Sequence, residues 1–149
     1  CCREAVCLGK IKPMIPNCFY RISIKALILD ETRAKFLVIQ EKNGKWEFPG
    51  GGLDWGENYD NGLRRELHEE MGLEATYIAT QPSYFITQQK QENDIWFANI
   101  FFEVCVKNLD FTPSEECVAL QFVTAEEALK LPAFPNVHAL ALLFDPKNH

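Results

Sequence analysis

The sequence predicts one α/β sandwich with a mixed sheet, and three observations lead there. Apolar runs of strand length recur from Phe19 to Val123, and capped amphipathic stretches of helix length interrupt and follow them. With 149 residues, 47% apolar and 24% charged, the chain is long enough to bury a core and too apolar to stay disordered. The formal charge of −6 argues against an extended nucleic-acid partner, which needs a surplus of Lys and Arg.

Residues 1–17, closed by Pro13 and Pro16, read as an N-terminal segment, and residues 18–149 as the domain. Ala5–Leu8 is too short for the apolar region of a signal peptide, and no apolar run is long enough for a membrane span. Cys1, Cys2, Cys7, Cys18, Cys105 and Cys117 show no zinc spacing. They are expected to be reduced thiols of a cytoplasmic protein, with a disulfide or metal role for the first four as the alternative. Cys105 and Cys117 read as buried small hydrophobes.

Phe19–Leu29 alternates and then turns continuously apolar. With a turn at Asp30–Thr32 and a second strand at Phe36–Gln40, it reads as a hairpin. Asn43-Gly44 marks the next turn, and Trp46–Phe48 a short third strand running into Pro49 and three glycines. Asn58 is an N-cap candidate and Gly72 a left-handed C-cap candidate, so Asn58–Met71 is expected to be helical. Tyr59, Leu63, Leu67 and Met71 form its core stripe. Gly62, which costs about 1 kcal/mol against Ala in a helix, predicts close packing there. Thr76–Thr87 and Ile95–Lys107 read as strands joined through the polar loop Gln88–Asp94, and Cys117–Val123 as another. Thr124, with Glu127 at the capping-box position, starts a helix to about Lys130, and Asn136–Phe144 forms the last.

The chemistry concentrates in Gly51–Leu73, GGLDWGENYDNGLRRELHEEMGL. At about 100° per residue, Glu66, Glu69 and Glu70 share one helical face. Two carboxylates about 5 Å apart repel by roughly 3 kcal/mol at an effective dielectric near 20. Three together call for cations or protons. All-oxygen ligands are hard, which selects Mg²⁺ or Mn²⁺ over zinc. The glycines at 50–52 let the backbone bend and approach a ligand. An isolated E-x-x-E-E is more often a solvated acidic face, but the glycine turn, Glu57 and Arg65 set this one apart.

Gly51, Glu57, Arg65, Glu66, Leu67, Glu69, Glu70, Gly72 and Leu73 fall at every specified position of G-x5-E-x7-R-E-U-x-E-E-x-G-U, where U is aliphatic. Chance gives such a match on the order of 10⁻¹⁰ per starting point. The segment therefore resembles the box of the Nudix hydrolase (MutT-like) family. That resemblance implies an α/β/α sandwich with a mixed sheet and divalent-metal-dependent hydrolysis of a diphosphate linkage in a small nucleotide-like substrate, with Mg²⁺ as the cofactor and Mn²⁺ as its substitute. It implies Glu66, Glu69, Glu70 and the Gly51 carbonyl as metal ligands, and Arg65 as the partner that orients Glu57 or Glu69. His68 takes an unspecified position and Arg64 is expected to be merely exposed. The family's general base varies. Glu116, just before the strand ending at Val123, is the candidate here, Glu115 the reserve, and Glu92 and Asp94 the remoter choices. Trp55 could stack on a base or close the core. Tyr84, Phe85, Trp96 and Phe97 face the same two readings. Homodimers are common in the family. The competing functions are a non-catalytic nucleotide-binding regulator of the same fold and an isoprenoid diphosphate isomerase, which would need a catalytic cysteine such as Cys18, Cys105 or Cys117. The box leaves the substrate open: no proline occurs from Ser83 to Thr112, and Tyr84 lies closer to the box than the tyrosine of dinucleoside polyphosphate hydrolases.

Overall fold

The computed structural model describes residues 19–90 and 94–149, with the backbone alone at Lys90. The N-terminal segment, the first four cysteines and Glu92 lie outside the described residues. Strand β1 (Tyr20–Leu27) sits between β4 (Gly50–Gly52), which it meets antiparallel, and β6 (Ile95–Val106), which it meets parallel; β5 (Ala75–Lys90) closes that sheet in the order β4-β1-β6-β5. A second sheet runs β3 (Trp46–Glu47), β2 (Phe36–Gln40), β7 (Ala119–Val123), all antiparallel.

Helix α1 (Tyr59–Met71) packs through Leu63, Leu67 and Met71 onto one cluster with Ile24, Ala26, Leu37, Ile39 and Phe102. Helices α2 (Ala125–Lys130) and α3 (Pro135–Leu143) cover a second cluster with Leu27, Phe36, Val38, Phe48 and Phe101. The layers are α, β, α. Both faces of β2, and of β1 from Ser23 onward, are therefore buried, which explains their near-continuous apolar sequences there.

The caps are those expected. Asn58 accepts the Asn61 N–H, Gly72 is left-handed at φ 67°, and Thr124 and Glu127 complete a capping box. A Cβ at Gly62 would stand 2.5 Å from Ile24 Cδ1 and 2.9 Å from Leu53 Cδ1, so the helix approaches β1 as closely as the glycine predicts.

Three expectations change. β1 and β2 do not pair as a hairpin. The turn forms, held by Asp30 Oδ1 accepting from the Ala34 and Lys35 amides at 3.1 and 3.0 Å, but the strands separate into different sheets beyond the bridge Leu29–Phe36. Their other neighbours, β6 for β1 and β7 for β2, draw them apart. Cys105 is exposed rather than buried, whereas Cys117 is buried, its thiol pushed up to about 11 chiefly by burial. Finally, strand pairing runs to Lys90–Ile95, which shortens the polar loop expected at 88–94.

Candidate active site

The glycine bend supplies the floor of the site. Gly50 has φ 124°, and a side chain there would collide with the Ile24 carbonyl oxygen. Its N–H donates to Glu70 Oε2 at 3.0 Å and its carbonyl accepts from Lys25 Nζ at 3.4 Å, so the two peptide units that flank Gly50 are each held by a side chain. Gly51 faces α1 so closely that a Cβ would stand 2.6 Å from the Glu66 carboxyl, and its carbonyl accepts from Ser23 Oγ at 3.4 Å.

The three helix glutamates fan out across their shared face. Glu70 points toward the sheet and is buried, Glu66 is largely covered, with its side chain 13% exposed, and Glu69 is 59% exposed. Positions 66 and 70 are four residues apart and nearly eclipsed, while 69 lies on the solvent side of 66. Burial pushes the Glu70 carboxyl up to about 8, against the pull of Lys25 and of the Gly50 N–H; Glu66 and Glu116 push it further up.

Arg65 gathers the outer carboxylates. Its guanidinium donates to both Glu57 oxygens at 2.8 Å, to Glu66 Oε1 at 2.7 Å, to Glu69 Oε2 at 3.2 Å and to the Gly52 carbonyl at 3.3 Å. The sequence offered Glu57 or Glu69 as its partner; both are engaged, and Glu66 as well. The Arg65 hydrogen bonds hold the Glu57 carboxyl down to about 2. With Glu66 and Glu69 drawn onto Arg65, no three His, Cys, Asp or Glu side chains converge as a ready metal cage among the described residues. The oxygen donors still suit a hard divalent cation. The Gly51 backbone and the Glu66 carboxyl lie close together, and Glu70 is a buried carboxyl whose ionised form a nearby cation favours.

A cavity of about 280 Å³ opens from Gly51 and Gly52 into the space between the two sheets. Ser23, Lys25, Asn99, Gln88 and Phe97 line it from the first sheet, and Glu41, Lys45, Glu47 and Phe134 face them. Among the described residues, none offers a hydrogen bond to the buried side-chain oxygen of Gln88. Glu116 stands near enough to Glu70 and Glu41 to raise the pKa of both, and Ser114 Oγ, donating to the Glu70 carbonyl at 2.7 Å, anchors its loop to α1. Glu115 turns away to an exposed ion pair with Lys42 at 3.0 Å.

The sequence pattern of the NUDIX domain matches residues 19–143. The chain belongs to the Nudix family. Nudix hydrolase 2 of Arabidopsis thaliana is 27% identical over 140 residues, covering 87% of this chain and 48% of that protein. The asymmetrical bis(5'-nucleosyl)-tetraphosphatase of Mus musculus is 30% identical over 119 residues, covering 74% of this chain and 78% of that one. A crystal structure of the MutT protein from Methanosarcina mazei Go1 superposes with a TM-score of 0.67 at 26% identity, covering 87% of this chain and 95% of that chain. The chain thus spans about half the length of the plant relative.

Within this Nudix domain, Gly51, Arg65, Glu66 and Glu70 come together, Glu69 joins them through Arg65, and Glu116 borders them. The two expected substrate contacts do not line the cavity. Trp55 is fully exposed in the loop before α1 and closes no core. Tyr84 is half-buried, its hydroxyl hydrogen-bonded to His149 Nε2 at 2.7 Å. Of the other aromatic candidates Phe97 lines the cavity, while Phe85 and Trp96 are exposed and line no part of it. Arg64 does more than meet solvent: it donates to Asp60 at 2.8 Å and to the Ala75 carbonyl at 2.6 Å, tying α1 to β5. Lys25, Glu41, Glu47 and Asn99 escaped the sequence reading. The available signal was a polar residue inside an apolar strand, as with Lys25 in ISIKALIL and Asn99 in WFANIFF. Among the described residues no helix is long and apolar enough to cross a membrane.

Proposed function

We propose that this Nudix domain hydrolyses a diphosphate linkage in a nucleoside triphosphate or nucleoside diphosphate derivative, with water attacking phosphorus and Mg²⁺ required. The observation that carries the proposal is the close approach of the Gly51 bend, which lines a cavity able to admit a nucleoside, to Glu66, with buried Glu70 hydrogen-bonded to Gly50. The names of its relatives, a hydrolase and a dinucleoside tetraphosphatase, are consistent with it. Glu66, Glu69, Glu70 and the Gly51 carbonyl hold the cation, with Mn²⁺ able to replace Mg²⁺. When bound, it supplies charge neutralisation at the phosphate oxygens. Arg65 orients Glu66 and Glu69, Glu116 accepts the proton of the attacking water, and Phe97 and Phe134 flank the base. Trp55 and Tyr84 are left as contacts for a larger substrate group.

A panel of nucleotides assayed with and without Mg²⁺ tests this directly. The wild type is expected to release phosphate or diphosphate only with the metal, and Glu70→Gln and Glu69→Gln to lose at least about tenfold in kcat/KM. Equal turnover by the wild type and both variants rejects the metal-site assignment.

A further inference from the structure

Lys25 is the only charged residue in the run Ile22–Leu29, and its side chain is 7% exposed. Lysines are almost never buried unless paired. This one reaches Gly50 O at 3.4 Å and Glu47 Oε2 at 3.6 Å, longer than the 2.7–2.9 Å of a locked charge-assisted bond. Its charge also pulls down the carboxyls of Glu70 and Glu41. The other Glu47 oxygen, Oε1, is engaged separately, accepting from Asn136 Nδ2 at 2.6 Å and from the Phe48 N–H at 2.8 Å. The ammonium therefore sits among three carboxylates without being spent on any one of them.

We infer that Lys25 is an internal counter-cation that sets how tightly the Glu70 side of the site takes a divalent cation. This rests on the metal reading above and adds a residue to it. An ammonium beside Glu41, Glu47 and Glu70 offsets the negative charge that would otherwise draw a divalent ion in the absence of substrate. The phosphates of a nucleotide restore that charge, so cation and nucleotide bind cooperatively. Lys25 is a positioning residue in this scheme: it acts through the carboxylates and through the Gly50 peptide it grips.

The test is a Mn²⁺ titration of the nucleotide-free protein, followed by electron paramagnetic resonance of the free ion, with Lys25→Gln, Lys25→Met and Lys25→Arg beside the wild type. Lys25→Gln retains a donor for the Gly50 carbonyl and keeps the test open should Lys25→Met unfold. Removing the charge is expected to tighten Mn²⁺ binding about tenfold, and Lys25→Arg to stay within about threefold of the wild type. A purely structural lysine would leave affinity unchanged or weaken it on removal. Unchanged or weaker binding by the folded Gln and Met variants therefore overturns the inference while the metal site stands. A wild type that binds no Mn²⁺, with or without nucleotide, overturns both.

Discussion

The two cations beside the box helix perform the same electrostatic task by opposite means. Arg65 presents a planar fork to the outer carboxylates and fills it, with contacts of 2.7–3.3 Å to Glu57, Glu66, Glu69 and Gly52. Lys25 presents a point charge to the inner carboxylates at 3.4 and 3.6 Å. A fork fixes geometry; a point charge adjusts the field and leaves the carboxylates free to move. The outer half of the site is thus pre-shaped, and the inner half, where Lys25 lines the cavity and Glu70 and Glu116 stand near it, is where charge can be exchanged.

The sharpest way to break this contrast is at the inner half. Glu116→Gln is expected to lower kcat by about 10²–10⁴, the usual reach of a general base, whereas Glu115→Gln, whose carboxylate faces Lys42, should change it less than about twofold. Equal losses from the two substitutions would remove Glu116 from the mechanism. At the outer half, Arg65→Lys keeps the charge and loses the fork, and kcat/KM is expected to fall about 100-fold, equivalent to about 2.7 kcal/mol. Full activity there would mean that charge alone suffices. Gly62→Ala probes the packing beneath: its Cβ would meet Ile24 and Leu53 and stand 3.2 Å from Glu57 Oε2. Overpacking should outweigh the better helix propensity and destabilise the fold by about 1–3 kcal/mol in denaturant unfolding.

The smallest effect expected concerns acid. Glu57 is held at about 2 against an ordinary 4.5. Its contribution to stability is therefore complete above pH 4.5 and is lost as the pH falls from there toward 2, where the folded carboxyl also protonates. Thermal melts across that range should decline less steeply for Glu57→Gln than for the wild type. Parallel curves would show that the Arg65 fork adds nothing at Glu57.

What the sequence made legible was local. The caps at Asn58, Gly72 and Thr124, the Leu63–Leu67–Met71 stripe and the box spacing all depend on residues of one short stretch of chain, a helix with its caps or the bend just before it. What it concealed was partnership at a distance. Glu47 and Asn136 meet across 89 positions, Lys25 and Gly50 across 25, and nothing in a short window announces either. The separation of β1 from β2 has the same origin, since a hairpin signal says nothing about the strands waiting on each side. Of the two readings open for Trp55, its exposure removes the core one: bulk and apolarity argue for burial, yet a loop ahead of a helix can carry such a ring wholly into solvent.

That separation of the first two strands has a mechanical outcome. The walls of the cavity belong to different sheets, Ser23, Lys25 and Asn99 on one and Glu47 on the other, joined near their base by the bridge at Leu29–Phe36. A molecule lodged between them acts as a strut, and its occupancy should register as slowed amide exchange in β3 and the start of α3, well away from the bonds being broken.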